Sequence, residues 1–510
     1  MNLQDFFDHW SITENPFRGE EARHDAVFAR MSLGRQGTTA HSDFEKIVGD
    51  LARPSTSIVF GEKGSGKTAI RLQIGQLVEQ HNADHPDRKL FMLAYDDMNG
   101  VLDRLHRRLG NKDPGESLAA IRLVDHIDAL LTLAVGRIEG LLGGGSESDP
   151  MLMQTARRLP RSTKRDLLLL HAVYAAGEDS PERTSGLRRH LRWPVRRTWA
   201  AWVAGAAVGW IPGAALTLWA LNEAGKQTPA WDGWEALRWT GPVLLGLWLV
   251  LVLSLVAKRC LWDRFTLGAI GRRLRRQIRV GDRSATSYAQ ALARIGSAAG
   301  DAVLPVTGSD EPRNLMFARL RRVLDAFGYS GTMVLIDRVD EPTLVGGDVD
   351  RMRAVIWPLL NNKFLQQEGL GVKMLLPIEL RHALFKESSA FFQEARLDKQ
   401  SLVERLGWTG AMLYDLCDSR LRACRPADAE PMSLLDLFAE DVTRRDLVDA
   451  LDQMHQPRDA FKFIYRCLSE HCSNVTRDQS EWRVPRLVLE AVKKQESDRV
   501  QQLYRGIRPA

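Results

Sequence analysis

The order of apolar and polar positions divides the chain into strand-like and helix-like segments. Short, continuous apolar runs, typical of strands buried on both faces, occur at Ile58–Phe60, Leu90–Tyr95, Thr332–Ile336 and Val372–Leu376. Between these runs, apolar residues recur every three or four positions, as they do in amphipathic helices. Strand, loop, helix and strand in this order predict an α/β fold with a parallel sheet.

The interval between the second and third predicted strands has a helical pattern. From Val101 to about Gly177 the apolar residues recur at helical spacing, with the longest run at Leu118–Leu142 and a break at Gly143–Asp149. Residues 400–510 show the same periodicity and predict a helical C-terminal lid that also offers a surface to a partner. A short helix is expected at Ser42–Leu51, before the first strand.

Two longer apolar segments interrupt this interval. Trp199–Leu221 and Trp239–Ala257 hold 23 and 19 residues without a charge, lengths that match a bilayer core of roughly 30 Å. Basic residues cluster before the first segment and after the second, whereas residues 222–238 are mixed in charge. The positive-inside rule then predicts two spans of a cell inner membrane, with both termini cytoplasmic. The alternative is a buried helical hairpin of a soluble core.

Small and aromatic residues in these segments fit the membrane interpretation. Gly205, Gly209 and Gly213 repeat at four-residue spacing, which would let the second helix or another protomer approach closely. Tryptophans gather near the proposed membrane surfaces, as in an aromatic belt. Membrane lipid is therefore an expected partner, together with a second copy of the chain or another protein.

Composition and charge support several domains and a local basic excess. The 510 residues are 44% hydrophobic and 26% charged, which suits two or three compact domains. The net charge is +6, but residues 183–197 and 258–279 hold 14 of the 70 basic residues and one of the 64 acidic residues. The remainder is net acidic, so the basic helix at Arg272–Arg279 is expected to lie along lipid headgroups, and nucleic acid is disfavoured as a partner.

Cysteines and the N-terminus add little chemistry. The five cysteines are too sparse for a disulfide framework and suit a reducing compartment. Cys467, His471 and Cys472 are close in sequence, but no second ligand pair accompanies them, so a metal site is not expected there. The acidic start of the chain argues against a cleaved signal peptide. The segment Phe6–Met31 is expected either to lie against the sheet domain or to form a surface turn.

The clearest candidate chemistry follows the first predicted strand. Residues 61–68 have the spacing G-x-x-x-x-G-K-[ST] between a strand and a helix, the context of a phosphate-binding loop. Glycines let successive N–H groups point at one anion, and a lysine then meets that anion as a point charge. The sequence thus predicts binding of a nucleoside triphosphate with Mg²⁺. ATP is expected because no guanine-reading motif is evident, and GTP stays open as the alternative. The expected nucleotide-binding residues are Gly61, Gly64, Ser65, Gly66, Lys67 and Thr68, and the hydroxyl of Thr68 would also hold the metal.

An acidic cluster ends the third predicted strand. Asp337 is placed to support the metal shell and Glu341 to activate the attacking water, while Asp340 suits either role. With Lys67, Asp337 and Glu341 form the predicted catalytic set. The alternative is an acidic cap before the helix that begins near Asp348. If the prediction holds, Thr68 and Asp337 must lie close enough to share one metal ion.

These residues resemble a known family. The glycine-rich loop, the strand end LIDRVDE (Leu335–Glu341) and two apolar segments inserted between them look like the KAP family of P-loop NTPases, within the wider STAND and AAA-related group. The resemblance covers two short motifs and the layout of most of the first 400 residues. It implies an ATP-driven switch or assembly factor at the inner face of a membrane, and several bacterial relatives appear in antiphage defence.

Three further positions bear on this resemblance. Related enzymes place a polar sensor residue after the strand at Val372–Leu376, where this chain has Pro377, Ile378 and Glu379, which puts sensing by this strand in doubt. Arg381 is a candidate arginine finger. Arg458, at the start of the helix PRDAFKFIYRCL, resembles a second sensor arginine that reaches the nucleotide, with a helix-capping role as the alternative.

The resulting organisation has six parts. Residues 1–110 and 311–398 form the P-loop NTPase core, and residues 399–510 form the helical lid and partner region. Between the core segments lie a helical insertion, a transmembrane hairpin and a basic juxtamembrane segment, at 111–198, 199–257 and 258–310. The expected function is a membrane-anchored ATPase, with a nucleotide-binding scaffold without turnover or a nucleic-acid-dependent ATPase as alternatives.

Overall fold

The computed structural model describes residues 1–18, 21–33, 41–143, 149–193, 204–224, 239–257, 263–296, 302–476 and 481–504. The chain divides into two compact units. Unit 1 combines Met1–Leu123 with Gly328–Ala510, and unit 2 is the inserted segment Val124–Phe327. Segments that are far apart in sequence therefore form unit 1 together.

Unit 1 is built on a five-stranded parallel sheet, so the predicted α/β class is confirmed. The strand order is β2-β3-β4-β1-β5, and the strands are β1 Ser57–Gly61, β2 Lys89–Tyr95, β3 Tyr329–Ile336, β4 Leu370–Pro377 and β5 Ser401–Val403. The first four match the predicted runs and extend them by one to three residues at some ends. The three-residue β5 was not predicted, because it is too short to show a period.

The interior strands are apolar because both faces of the sheet are covered. Every residue of β1 and β4 is buried. In the parallel register, Gly61 pairs with Pro377 and Ile336 pairs with Met374. The carboxyl ends of β1, β4 and β3 consequently lie along one edge of the sheet. The strands β2, β3 and β4 lie on one side of β1, and β5 lies on the other side. The strand order therefore reverses direction at β1, and α/β sheets commonly bind ligands at such a point.

Helices surround this sheet and continue into the C-terminal region. The predicted helix at Ser42–Leu51 is shorter, at Phe44–Val48, and the predicted run Leu118–Leu142 is divided between a helix that ends at Ala119 and one that begins at Leu123. The helices of unit 1 that precede β3 are α1 Leu3–His9, α2 Ala26–Leu33, α3 Phe44–Val48, α4 Lys67–Asp84, α5 Asn99–Leu109 and α6 Pro114–Ala119.

A hydrophobic core joins the N-terminal arm to the C-terminal helices. Phe6, Ile12 and Phe17 are buried among residues of the last hundred positions, and Trp10 Nε1 donates to the carbonyl of Trp482 at 2.9 Å. The arm is therefore packed and is more than a surface turn, although its first part contacts the C-terminal helices.

Unit 2 is helical in its described residues. Inside it, Arg313 and Asp128 are fully buried, and Arg313 Nε donates to Asp128 Oδ1 at 3.0 Å. Tyr174 donates its hydroxyl proton to the same oxygen at 3.0 Å. The helices are α7 Leu123–Leu142, which begins at the unit boundary, α8 Pro150–Arg158, α9 Arg161–Tyr174, α10 Ser180–His190, α11 Ile211–Ala224, α12 Thr240–Ala257, α13 Asp263–Gln277, α14 Ala285–Ile295 and α15 Glu311–Ala326.

Two helical segments of unit 2 are long and apolar enough to cross a membrane, and only 11% and 6% of their residues are buried. They are Ala204–Asn222, which joins a short helical stretch at 204–208 to most of α11, and Thr240–Ala257, which is α12. The hairpin is thus exposed and is not the buried core of the alternative. Gly213 and Gly209 face the second helix, since an added Cβ would lie 3.0 Å from Leu245 Cγ and from Trp248 Cδ1, respectively, whereas Gly205 meets nothing within 4 Å. The predicted start at residues 199–203 and most of the connecting stretch lie outside the described residues.

The C-terminal part of unit 1 follows β3. Its helices alternate with the last strands and then form the predicted helical region. They are α16 Val349–Ile356, α17 Asn362–Leu365, α18 Ile378–Leu384, α19 Ser389–Ala395, α20 Gly410–Ala423, α21 Arg444–Asp452, α22 Pro457–Asn474 and α23 Arg486–Tyr504, with single 3₁₀ turns at Trp357–Leu359, Leu397–Lys399 and Leu434–Leu437.

Candidate functional site

A glycine-rich loop, Glu62–Gly66, joins β1 to α4 at the carboxyl edge of the sheet. Gly64 and Gly66 have φ angles of +95° and +93°, a left-handed conformation that favours glycine. Gly66 is the N-cap of α4 and Lys67 is its first residue. The backbone N–H groups at the start of an 18-residue helix form a favourable site for an anion.

Lys67 and Ser65 lie within this loop region. Lys67 Nζ donates to the carbonyls of Gly61 and Glu62 at 2.8 and 2.9 Å. Burial lowers the pKa of Lys67, and the nearby carboxylates of Asp340 and Asp337 oppose that shift. The hydroxyl of Ser65 is buried and makes no hydrogen bond within the described part of the chain. The loop and the first residue of α4 therefore bring together a partly buried cation and a buried hydroxyl without a hydrogen bond.

Thr68 and Asp337 meet across the sheet edge. Thr68 Oγ1 donates to Asp337 Oδ2 at 3.2 Å, although 268 residues separate them in sequence. Asp337 is 1% exposed, and burial raises the pKa of its carboxyl against the opposing charges of Arg71 and Lys67. A hydroxyl and a carboxylate are the oxygen donors that Mg²⁺ takes from proteins when phosphates complete its shell. The pair fits that metal.

The other acidic residues at the cavity differ in their neighbours: two lie near Lys67, and one pairs with an arginine. Asp340 and Glu379 act on Lys67 through their charges, and both border the same cavity as Asp337. Glu341 also borders this cavity, but its side chain is 53% exposed and its Oε2 lies 3.2 Å from Arg338 Nη1. Glu341 therefore lies at the edge of the cavity, with its carboxylate in an ion pair with Arg338.

The C-terminal region reaches the loop through the start of α22. A Cβ added at Gly64 would lie 2.9 Å from Gln456 Oε1 and 3.2 Å from Arg458 Cβ. The amide of Gln456 also donates to the carboxylate of Glu62. Arg458 thus lies beside the glycine-rich loop, where the sequence predicts a nucleotide contact. Its neighbour Pro457 occupies the first turn of the helix.

A cavity of about 650 Å³ connects these residues inside unit 1, a size common for small-molecule sites. One end holds the polar residues already named. The rest has an apolar wall to which the N-terminal arm and the C-terminal helices contribute Phe28, Met31, Leu416 and Phe461. Trp408 also borders the cavity and donates its indole N–H to the carbonyl of Ser65 at 2.8 Å. The site therefore combines an anion-binding end with an apolar surface.

Two other candidates lie apart from this cavity. Arg381 is paired with Glu404 at 2.8 Å and does not line the cavity. Cys467, His471 and Cys472 are buried in the C-terminal core, and the ring of His471 contacts the carbonyl of Glu481 through Nε2 at 3.0 Å. In the ranges that the structure describes, no group of three or more His, Cys, Asp or Glu is placed to hold a metal ion by itself.

The sequence did not predict several residues that border the site. Arg71, on α4, pairs with Asp96 at the end of β2, and its Nε lies 3.6 Å from Asp337 Oδ2. Arg338 pairs with Glu21 of the N-terminal arm. Arg338 lies within the strand-end motif LIDRVDE, but no role was predicted for it, and Asp96 gave a signal only because it directly follows a buried strand.

Comparisons with family models, with curated proteins and with solved structures found no match for this chain.

Proposed function

We propose that this chain is a membrane-anchored P-loop NTPase of the KAP type that binds and hydrolyses ATP with Mg²⁺. The contact between Thr68 and Asp337, 3.2 Å apart at the end of the glycine-rich loop, carries the proposal. This is the contact that is expected if the hydroxyl of the phosphate-binding loop and the acid after β3 hold the same metal ion. The exposed apolar hairpin supports the membrane anchor.

The residues of the site divide the work of nucleotide binding. The N–H groups around Gly64–Gly66 and the ammonium of Lys67 bind the phosphates, and Arg458 contacts the nucleotide from the C-terminal region. Thr68 and Asp337 hold Mg²⁺, which neutralises phosphate charge when bound. Glu341, or Asp340 beside it, orients and deprotonates the attacking water.

Membrane placement follows from the charges that flank the hairpin. Arg272, Arg273 and Arg276 of α13 are exposed, and such a basic surface close to a span suits anionic headgroups on the cytoplasmic side. We therefore place both termini in the cytoplasm of a cell with an inner membrane. Turnover would act as a switch or drive assembly with another copy or a protein partner, and antiphage defence is the role that the family resemblance suggests.

The test measures nucleotide binding and phosphate release by the full chain in detergent. Lys67→Ala removes the cation of the phosphate site, so we expect ATP affinity to fall by about a hundredfold, since interactions with charged groups are worth about 1.5–3 kcal/mol each. Asp337→Asn and Glu341→Gln should keep binding and lose turnover. Lys363→Ala, at an exposed lysine outside the cavity, is the matched control. Equal turnover by wild type and Lys67→Ala would reject the catalytic proposal.

A scaffold that binds ATP without turnover is the second candidate. The observation that favours it is the ion pair between Glu341 and Arg338, because a carboxylate that binds an arginine is turned away from an attacking water. Tight ATP binding without phosphate release, in the presence and absence of anionic vesicles, would support this alternative. Hydrolysis that survives Glu341→Gln but not Asp340→Asn would instead transfer the role of base to Asp340.

A further inference from the structure

We propose that Arg338 contacts the terminal phosphate of the bound nucleotide, and that Glu21 of the N-terminal arm pairs with Arg338 in place of that phosphate. A nucleoside triphosphate would then displace the Glu21 carboxylate, whereas a diphosphate would not. The inference rests on the proposed function and deepens it, because it names the residue that distinguishes the two nucleotides.

The backbone of Arg338 is held in an unusual conformation next to the metal-supporting acid. Its φ is +60°, in the left-handed region that residues with a Cβ rarely adopt. Its N–H donates to Asp337 Oδ1 at 2.9 Å. Strained conformations persist where the surrounding structure enforces them, and they gather at functional sites. Here the conformation places an arginine at the cavity wall, one residue after Asp337.

The guanidinium of Arg338 is set between two carboxylates. It contacts Glu21 Oε1 on one side and Glu341 Oε2, at 3.2 Å, on the other. Its side chain is 16% exposed, and Nε is buried without a hydrogen bond in the described residues. The planar fork of an arginine binds carboxylates and phosphates with the same geometry. The position held by the Glu21 carboxylate is therefore one that a phosphate group can take.

Residues that follow Glu21 anchor the arm to the rest of unit 1, while Glu21 itself pairs with Arg338 and lies 4.0 Å from Arg23 Nε through its Oε1. Arg23 pairs with Asp96 at 2.5 Å, and Asp25 pairs with Arg420 at 2.7 Å. The side chains of Asp25 and Arg420 are only 6% and 3% exposed, whereas that of Glu21 is 40% exposed. Because the buried pair anchors the arm, Glu21 can leave Arg338 without unfolding its neighbours.

The negative charge of the site favours the withdrawal of Glu21 when a phosphate binds to Arg338. Asp337, Asp340, Glu341 and Glu379 border the same cavity as Glu21, so the phosphate end is rich in carboxylates. A terminal phosphate adds negative charge there, and its binding is favoured when Arg338 is available and one carboxylate withdraws. Glu21 thus competes with the nucleotide for the same cation.

Affinities for ATP and ADP, measured with Mg²⁺ on the full chain in detergent, test the inference. Arg338→Ala should weaken ATP binding about tenfold and leave ADP binding within about twofold, because one charge-assisted contact is lost only with the triphosphate. Glu21→Gln should strengthen ATP binding and leave ADP binding unchanged, because the competing charge is gone. Arg338→Lys should lie between wild type and Arg338→Ala, since it keeps the charge and loses the fork.

The ion pair between Arg353 and Glu387, 2.6 Å apart and outside the cavity, provides matched controls. Arg353→Ala and Glu387→Gln should leave the ratio of ATP to ADP affinity unchanged. A ratio that is the same in wild type, Arg338→Ala and Glu21→Gln overturns the inference, while wild-type binding that depends on Lys67 would still support the proposed function. A wild-type chain that binds neither nucleotide overturns both.

Discussion

Lys373 is a buried cation at the centre of the sheet. Its side chain is completely buried on β4, and its Nζ donates to the carbonyl of Ser55 at 2.7 Å. Burial lowers the pKa of Lys373 to about 8. The folded chain therefore releases this proton at a lower pH than the unfolded chain does, so the free energy of unfolding should rise from about pH 8 toward the ordinary lysine pKa of about 10.4.

Lys373→Met should accordingly stabilise the protein at neutral pH. Its removal relieves a desolvation cost of about 3 kcal/mol and loses a hydrogen bond worth about 1 kcal/mol, so we expect a net gain of about 2 kcal/mol at pH 7. Denaturant unfolding of wild type and variant at pH 7 and pH 10 measures this gain, which should shrink at the higher pH. Lys363→Met is the exposed control. A variant less stable at both pH values would contradict the prediction.

The roles of some site residues can be predicted from the sequence, whereas those of others cannot. Lys67 and Thr68 follow from local spacing, because a loop and the helix start after it are formed by neighbours in sequence. Asp337 follows from its position after a buried strand. Arg338 and Glu21 do not follow, because their importance depends on a contact between positions 317 residues apart. Glu341 has the expected location, but its ion pair with Arg338 was not predictable.

At the scale of elements, the apolar hairpin packs through small residues. Gly213 and Gly209 allow close approach, and Gly241 lies against Thr217. Trp248 also donates its indole N–H to the carbonyl of Ala206 at 2.9 Å. Without a hydrophobic driving force between helices in lipid, such close packing and hydrogen bonds hold a helix pair together.

Gly241→Ala should loosen this pair. A Cβ there would lie 2.4 Å from Thr217 Oγ1 and 2.7 Å from Thr217 N, so the helices must separate at a cost of about 1–3 kcal/mol. The midpoint of thermal unfolding in detergent should fall. Gly246→Ala, on the same helix with nothing within 4 Å of the added Cβ, should have no such effect. Equal midpoints for the two variants would argue against this packing.

Element boundaries show where periodicity is informative. The four longer strands were predicted because strands covered on both faces are continuously apolar. The helix expected over Leu118–Leu142 is interrupted between Ala119 and Leu123. The sequence did not predict this break, because the apolar pattern continues across it. The basic stretch predicted over Arg272–Arg279 is helical only to Gln277.

At the scale of the whole molecule, the insertion places an apolar hairpin in a chain that also holds a glycine-rich loop beside a cavity. The full chain should remain in the membrane pellet after alkaline carbonate extraction. A variant in which a short Gly/Ser linker replaces residues 199–257 should move to the soluble fraction, because about 40 uncharged residues are enough for two bilayer crossings. Recovery of the full chain in the carbonate supernatant would contradict a membrane-spanning hairpin.

The sequence by itself determined the features that depend on neighbouring residues. These are the glycine-rich loop, the four main strands and the two apolar segments, because backbone conformation and hydrophobic period are local properties. The tertiary structure alone decided which distant segments share the cavity: the N-terminal arm, the ends of β1, β3 and β4, and the start of α22. Parallel strand order and long-range ion pairs join these segments, and neither leaves a periodic trace in the sequence.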